Sequence, residues 1–183
     1  DEIDPAVVSY WSEGFPGFFS GWKFENYEHI SQDNAKQLLC EIMDVKPAEI
    51  GSVDESFVLT IDNIMKMLAV WFRVGSKIPV VIMGETGCGK TFSISYLAAF
   101  LNIAFHKLDV HGGISDKDVV DFVRPVIDEC LASPDTPVWC FLDEINTCDS
   151  LGLFKEMICD KSMKGSVLPD NLVILAACNP YRY

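Results

Sequence analysis

Residues 81–91 read VIMGETGCGKT, and this stretch decides the fold class. Gly84, Gly89, Lys90 and Thr91 match the pattern G-x-x-x-x-G-K-[ST], which is typical of a phosphate-binding loop. The glycines let the backbone curl so that several N–H groups face one anion, while the lysine reaches the β- and γ-phosphates. The apolar run 78–83 predicts a buried parallel strand before the loop, and residues 90–101 predict a helix whose positive end faces the phosphates.

The composition indicates one domain, or one domain with an extension, of 183 residues. Its hydrophobic fraction of 49% is enough for a sizeable core, and its net charge is −13. Residues 1–60 hold 12 acids and 3 bases, whereas residues 61–183 hold 15 acids and 11 bases. Because the chain lacks a basic footprint, we expect no direct binding to nucleic acid.

Seven cysteines are scattered along the chain without a C-x-x-C pair. This pattern predicts reduced thiols of a cytosolic protein rather than disulfides or a zinc site. We find no apolar run of transmembrane length and no signal peptide. The sequence does not begin with Met, and we interpret it as part of a longer chain.

Strands and helices alternate from residue 57 onward, which predicts a parallel α/β sheet. Helix N-caps are expected at Thr60, at Asp149, at Ser115 with Asp118 as a capping box, and at Ser31 or Asp33. Residues 1–55 are predicted to be irregular apart from one short helix. The predicted strands are 78–83, 104–110, 138–142 and 172–177, the predicted helices are 31–45, 61–74, 90–101, 115–132 and 149–159, and 161–170 is a predicted hairpin or turn.

The second chemical motif is VWCFLDEIN at 138–146, a buried strand that ends in two adjacent acids. Burying two carboxylates is costly unless they face a site. We therefore expect Asp143 to hold the shell of a Mg²⁺ ion together with Thr91, and Glu144 to orient and deprotonate an attacking water. The plainer alternative is a helix cap and a solvated acid.

The third motif is VILAACNP at 173–180. Asn179 ends a strand that is expected beside the first one, where its amide would reach the γ-phosphate or the attacking water. The alternative is an ordinary turn. The predicted catalytic residues are Glu144, Asn179 and Lys90, and the predicted ATP-binding residues are Gly84, Glu85, Thr86, Gly87, Cys88, Gly89, Lys90, Thr91 and Phe92.

Several weaker signals favour structural roles. The turn His111-Gly112-Gly113 is expected to need glycine flexibility, and Cys88 to be a small residue that fits its loop. The stripe Ile64, Leu68 and Trp71 is predicted to be core rather than an adenine pocket. Eight aromatic residues in 10–27 are expected to pack over the core, with partner docking as the alternative.

Together, the three motifs resemble the AAA+ ATPases, with a Walker A loop, a Walker B strand ending in Asp-Glu, and a sensor-1 Asn. The resemblance implies a P-loop αβα sandwich with strand order 5-1-4-3-2, of which four strands are expected in this chain. The fifth strand, the helical lid and the arginine finger would lie beyond Tyr183. Residues 56–183 would be a partial AAA+ large subdomain, and residues 1–55 an acidic, aromatic-rich extension.

The resemblance narrows to the mysterin family of giant AAA+ proteins with a RING-type ubiquitin-ligase region. It is carried by SFVLTIDNIMKMLAVWFRVGSKIPVVIMGETGCGKT, VHGG, LDEINT, KEMICD and AACNPYR. It implies neighbouring AAA+ units on one chain, ATP and Mg²⁺ as cofactors, ubiquitin and an E2 enzyme as partners through other regions, and a cytosolic location with lipid-droplet association. The chain departs from the family pattern at Ile145 and Phe92, where Ala and a basic residue are expected.

Three functions stay open from the sequence. The first is Mg²⁺-dependent ATP hydrolysis that drives conformational work coupled to ubiquitination. The second is a unit that holds ATP without turning it over. The third is a unit of a dynein-like or midasin-like remodelling machine. The retained Glu144 favours the first over the second, and CNPYR favours mysterin over the third.

Overall fold

The structure is a computed structural model that describes residues 30–180. Short 3₁₀ turns lie at Pro47–Glu49 and Ile145–Thr147. The other elements are α1 (Gln32–Met43), α2 (Ile61–Gly75), β1 (Val80–Met83), α3 (Lys90–Phe100), β2 (Ala104–Asp109), α4 (Asp116–Ala132), β3 (Val138–Asp143), α5 (Leu151–Cys159), β4 (Ser162–Met163), β5 (Ser166–Val167) and β6 (Leu172–Cys178). All four strands predicted for the sheet form, within two residues of the predicted ends.

The four long strands form one sheet in the order β1-β6-β3-β2, and every pairing is parallel. This is the order 1-4-3-2 that the AAA+ resemblance implies, so the predicted topology is confirmed. β1 and β2 are the edge strands of the described sheet. The predicted hairpin also forms, since β4 pairs with β5 in antiparallel register.

Helices cover both faces of the sheet, and β3 shows how the sequence builds the three layers. Trp139 and Phe141 pack with residues of α1, α2 and α3 on one face. Cys140 and Leu142 alternate with them and pack with residues of α4 and α5 on the other face. All six residues of β3 are buried, which explains the nearly continuous apolar run of a parallel central strand.

Most of the predicted helix caps form. Thr60 accepts a hydrogen bond from Asn63 N, Ser31 is the cap of α1, and Ser115 with Asp118 makes the predicted capping box. The prediction that Asp149 is the N-cap residue of α5 is wrong. The N-cap residue is Ser150, whose side chain makes no capping hydrogen bond. The Ser150 hydroxyl is instead hydrogen-bonded to the Asp116 carboxylate.

Helix α1 belongs to the same core as the sheet. Ala35, Leu39 and Met43 are buried in the cluster on the α2 and α3 side. The Gln32 side chain also pairs with the backbone of Leu59, accepting from its N–H at 2.7 Å and donating to its carbonyl at 3.3 Å. The end of the predicted extension is thus packed against the domain. The aromatic cluster at 10–27 lies outside the described residues.

All seven cysteines lie in the described part of the chain and form no disulfide, as predicted. Burial raises the pKa of the Cys140 thiol to about 12, so this side chain is a neutral core group at physiological pH. No helix among residues 30–180 has the length and apolar character needed to cross a membrane.

Candidate functional site

Three strands end at one edge of the sheet, and candidate site residues follow each of them. β1 leads into the loop 84–89, β3 ends at Asp143, and Asn179 follows β6. Because the strands are parallel, their carboxyl ends meet there, which is where open α/β sheets bind ligands. An open cleft with about 690 Å³ of empty space lies at this edge. It is lined by Thr86, Gly87, Gly89, Lys90, Thr91, Phe92, Ser95, Asp143, Glu144 and Asn179.

The remaining predicted loop residues lie just behind this cleft. The carbonyl oxygens of Gly84 and Glu85 accept hydrogen bonds from the Lys90 ammonium. Cys88 lines a neighbouring cavity between α2 and β1. A Cβ atom at Gly84 would lie 2.9 Å from Cys88 Sγ, so a larger residue here would require the Cys88 side chain to move.

The loop conformation depends on two further glycines. Gly87 has φ of 83° and Gly89 has φ of 78°, a left-handed region that side chains disfavour. Gly89 is also the N-cap residue of α3 and offers no side-chain oxygen to the first N–H groups of the helix. These groups and the positive end of the helix dipole are therefore available to an anion in the cleft.

Lys90 joins the loop to the end of β6. Its ammonium donates to Gly84 O at 2.6 Å, to Glu85 O at 2.9 Å and to Asn179 Oδ1 at 2.9 Å. A lysine has three N–H donors, and these three oxygens match that number. The Lys90 ammonium thus lines the cleft beside the loop 84–89.

Thr91 and Asp143 form the second contact between the loop and the sheet. The Thr91 hydroxyl donates a hydrogen bond to Asp143 Oδ2. Asp143 is buried. Besides the Thr91 hydroxyl, its carboxylate has one cation nearby, since Lys107 Nζ lies 3.7 Å from Oδ2. The arrangement brings together two oxygen ligands of the kind that Mg²⁺ prefers.

Glu144 and Asn179 meet directly. Asn179 Nδ2 donates to Glu144 Oε1 at 3.0 Å, while its Oδ1 accepts from Lys90. One amide therefore connects the cation of the loop to the second acid of the strand. Glu144 has φ of 56°, and Thr147 Oγ1 donates to its carbonyl at 2.8 Å, so a tight turn directs this acid.

Sequence reasoning missed two residues of this edge, Lys107 and Asn146. Lys107 donates to Asp109 at 2.6 Å as well as lying near Asp143, and this contact with Asp109 is the main reason that its pKa is raised. The period of two along β2 places Lys107 on one face with Asp109, but its proximity to Asp143 depends on the register that sets Asp109 opposite Asp143. Asn146 hydrogen-bonds the backbone of Asn179, which no local pattern indicates.

The donor set fits a phosphate-bound Mg²⁺ ion. Residues 30–180 contain no group of three or more His, Cys, Asp and Glu that could hold a metal alone. Mg²⁺ is commonly held by one or two protein oxygens, with waters and substrate phosphates completing its six ligands. Thr91 and Asp143 supply such a pair beside the loop 84–89.

Two weaker signals have ordinary structural explanations. His111-Gly112-Gly113 forms a turn in which Ile114 N donates to His111 O at 2.9 Å. The prediction that this turn needs glycine flexibility is wrong, because neither glycine has a positive φ and a Cβ atom at either position would meet its nearest neighbour at an ordinary 3.5 Å. Ile64 and Leu68 are buried in the core and Trp71 packs against it, as predicted. Phe92, a predicted ATP-binding residue, lines the cleft and is 43% exposed. Its ring packs on Phe57 at a centroid distance of 5.2 Å.

Comparison with known proteins identifies the family. A sequence model described as the RNF213 AAA domain matches residues 57–182. This chain belongs to the RNF213 AAA domain family. It is 42% identical over 173 residues to the E3 ubiquitin-protein ligase rnf213-beta of Danio rerio, and 35% identical over 167 residues to the E3 ubiquitin-protein ligase RNF213 of Homo sapiens. These alignments each cover 86% of this chain and 3% of the relative.

The family match confirms the predicted mysterin resemblance, since mysterin is RNF213. The chain is a nucleotide-binding AAA unit, and it spans about 3% of the length of the curated relatives. Among solved structures, a RuvB variant of Thermotoga maritima is similar at a TM-score of 0.45 and 17% identity, covering 66% of this chain and 39% of RuvB. A second RuvB variant has a TM-score of 0.46, 16% identity and coverage of 64% and 39%.

Proposed function

We propose that this chain hydrolyses ATP with Mg²⁺ as an AAA unit of a large ubiquitin ligase. The observation that carries the proposal is the connected set of side chains at the sheet edge. Asn179 contacts both Lys90 and Glu144, and Thr91 contacts Asp143, so five residues from three segments converge on one cleft. A unit that only held nucleotide would have no use for a carboxylate aligned by an amide.

Charge stabilisation would come from the loop and α3. Lys90 and the N–H groups at the start of α3 would balance negative charge on the β- and γ-phosphates. Thr91 and Asp143 would hold Mg²⁺, Asp143 through water. When bound, the ion supplies charge neutralisation across the phosphate oxygens. Phe92 would contact the nucleotide from the rim of the cleft.

Glu144 would act on the attacking water. The carboxylate would accept the proton as the water oxygen bonds to the γ-phosphorus and the bond from phosphorus to the bridging oxygen of ADP breaks. Asn179 would orient Glu144 and the water. An arginine from a neighbouring AAA unit would complete the charge stabilisation, as the AAA+ resemblance implies.

The wider role follows from the relatives, which carry the name E3 ubiquitin-protein ligase. We propose that nucleotide state in this unit changes the arrangement of neighbouring AAA units, and that this change is coupled to ubiquitin transfer from an E2 enzyme by other regions. The family match favours this role over that of a dynein-like or midasin-like machine.

Glu144→Gln in the full-length protein tests hydrolysis. Glutamine keeps the oxygen that accepts from Asn179 Nδ2 but cannot take a proton at neutral pH. We expect the variant to retain bound ATP while hydrolysis by this unit falls about 100-fold or more, because a positioned base contributes roughly 10²–10⁴ in rate. Unchanged turnover with ATP still bound would show that the unit holds nucleotide without hydrolysing it.

A further inference from the structure

Asn146 holds the backbone of Asn179 by two hydrogen bonds. Its Nδ2 donates to Asn179 O at 2.8 Å, and its Oδ1 accepts from Asn179 N at 3.3 Å. The two residues are 33 positions apart, in the turn after β3 and at the end of β6 respectively. A side-chain amide thus binds both backbone groups of one residue, as a neighbouring strand would.

This contact replaces a missing strand pairing. The register between β3 and β6 ends at Leu142 and Ala176, so β3 offers no backbone partner to the last part of β6. On the other side, Gly84 N donates to Cys178 O, one residue before Asn179. Pro180 follows and has no N–H of its own to donate. The Asn146 amide therefore bonds the peptide groups on both sides of the Asn179 Cα atom, and Gly84 N also holds the first of these groups through Cys178 O.

We propose that Asn146 is a positioning residue that sets the Asn179 side chain between Lys90 and Glu144. The proposal rests on the hydrolytic function proposed above. With both flanking peptide groups fixed, only the side-chain torsions of Asn179 remain free, and the contacts at 2.9 Å to Lys90 and 3.0 Å to Glu144 fix those. Without Asn146, the end of β6 shifts and the amide no longer aligns Glu144.

Hydrogen bonds that only stabilise β6 should affect unfolding rather than the hydrolysis rate. Asn171 provides the matched control for such bonds. This residue precedes β6, and its Nδ2 lies within hydrogen-bond distance of three backbone carbonyls, those of Cys130, Ser133 and Thr136. It fastens the amino end of the same strand without contacting the cleft. If asparagine-to-backbone bonds only stabilise β6, loss of Asn146 and loss of Asn171 should have the same effects.

The test compares Asn146→Leu, Asn171→Ala, Asn179→Ala and the Asn146→Leu/Asn179→Ala double variant in the full-length protein. Leucine is close to asparagine in size and removes both hydrogen bonds. Single-turnover ATP hydrolysis, ATP affinity and thermal unfolding are measured for each, with Glu144→Gln defining the background from other units.

Asn146→Leu should lower the single-turnover rate about tenfold, since a misplacement near 1 Å can cost up to roughly 10²-fold. ATP affinity should stay within about twofold, because Asn146 does not line the cleft. If Asn146 affects the rate through Asn179, the double variant should be no slower than Asn179→Ala alone. If the leucine variant does not fold, Asn146→Asp replaces it. This variant keeps the size and the acceptor oxygen of asparagine but loses the donor to Asn179 O, so it should also lower the rate.

Three results would overturn the proposal: a rate within twofold of wild type, an equal loss in Asn171→Ala, or losses that add in the double variant. If Glu144→Gln lowers turnover but Asn146→Leu does not, the positioning role alone fails. If Glu144→Gln leaves turnover unchanged, the hydrolytic function fails, and the positioning role fails with it.

Discussion

The two ends of β6 are each bordered by an asparagine, but the two side chains hold different partners. At the amino end, Asn171 Nδ2 lies 2.8–3.1 Å from three backbone carbonyl oxygens, one in the last turn of α4 and two in the loop that leads to β3. At the carboxyl end, Asn179 joins the ammonium of Lys90 to the carboxylate of Glu144. The first set of partners is neutral and fixed by the chain, whereas the second is ionised and carried by side chains.

This difference teaches that residue type does not separate structural from chemical roles here. Both asparagines are half-buried, and they flank the same strand, Asn171 before β6 and Asn179 after it. Their positions differ, because only the carboxyl end of a parallel strand faces the ligand edge of the sheet. We therefore expect the amino-end asparagine to affect stability and the carboxyl-end asparagine to affect the chemical step.

Asn179→Ala should have the largest effect. Removal of its amide separates Glu144 from Lys90, and we expect single-turnover ATP hydrolysis by this unit to fall about 100-fold, the usual cost of losing one preorganised polar group. Thermal unfolding should change little, since Asn146 still has backbone groups of the same residue to bind. Rapid-quench measurement of hydrolysis with the protein in excess over ATP checks this. A large drop in unfolding temperature with a normal hydrolysis rate would show that Asn179 stabilises the fold and does not act in the chemical step.

Asn171→Ala should have the opposite profile. Two N–H hydrogens serve three carbonyl oxygens, and their loss leaves these oxygens without that donor. We expect the free energy of unfolding to fall by about 1–3 kcal/mol, with hydrolysis unchanged below the unfolding temperature. Denaturant unfolding followed by intrinsic fluorescence measures the first quantity. A slowed hydrolysis step at full folding would show that the amino end of β6 also controls the cleft.

Much of the fold and part of the site could be predicted because their signals are local. The loop 84–91 and the acids at 143–144 each occupy adjacent positions, and burial of a parallel strand leaves an unmistakable apolar run such as 138–142. Strand order followed only from the resemblance, not from any pattern along the chain. Sequence alone therefore predicted which residues end the strands, and the topology of the family predicted that they meet.

The missed residues depend on register and on turns between distant segments. Lys107 becomes relevant only when β2 pairs with β3 so that Asp109 lies opposite Asp143. Asn146 becomes relevant only because the pairing of β3 with β6 ends at Ala176, two residues before β6 itself ends. The wrong cap has the same origin, because the Ser150 hydroxyl binds Asp116, which lies 34 positions earlier in the chain.

Lys107→Met should have the smallest effect and sharpens the comparison at the carboxyl end. The Lys107 ammonium lies 3.7 Å from Asp143 Oδ2, where it competes with a divalent cation for that carboxylate. The side chain is 34% exposed, so solvent screens this charge. We expect Mg²⁺ to bind about threefold more tightly in the variant, an amount typical of a partly exposed charge pair. Titration of Mg²⁺ into ATP-loaded Glu144→Gln protein, with and without Lys107→Met, measures this.

The pH dependence of Mg²⁺ affinity tests whether the charge of Lys107 causes the difference. The hydrogen bond with Asp109 raises the pKa of Lys107 above the ordinary lysine value of about 10.4, so the ammonium stays charged at any pH below that value. The difference in Mg²⁺ affinity should therefore be constant between about pH 6 and 9. Lys155→Met is the control, because Lys155 pairs with Asp160 at 3.4 Å on the surface and should leave Mg²⁺ binding unchanged. Weaker Mg²⁺ binding in Lys107→Met would mean that Lys107 holds Asp143 in place for the ion, and the carboxyl end of the sheet would then depend on fastening as much as the amino end does.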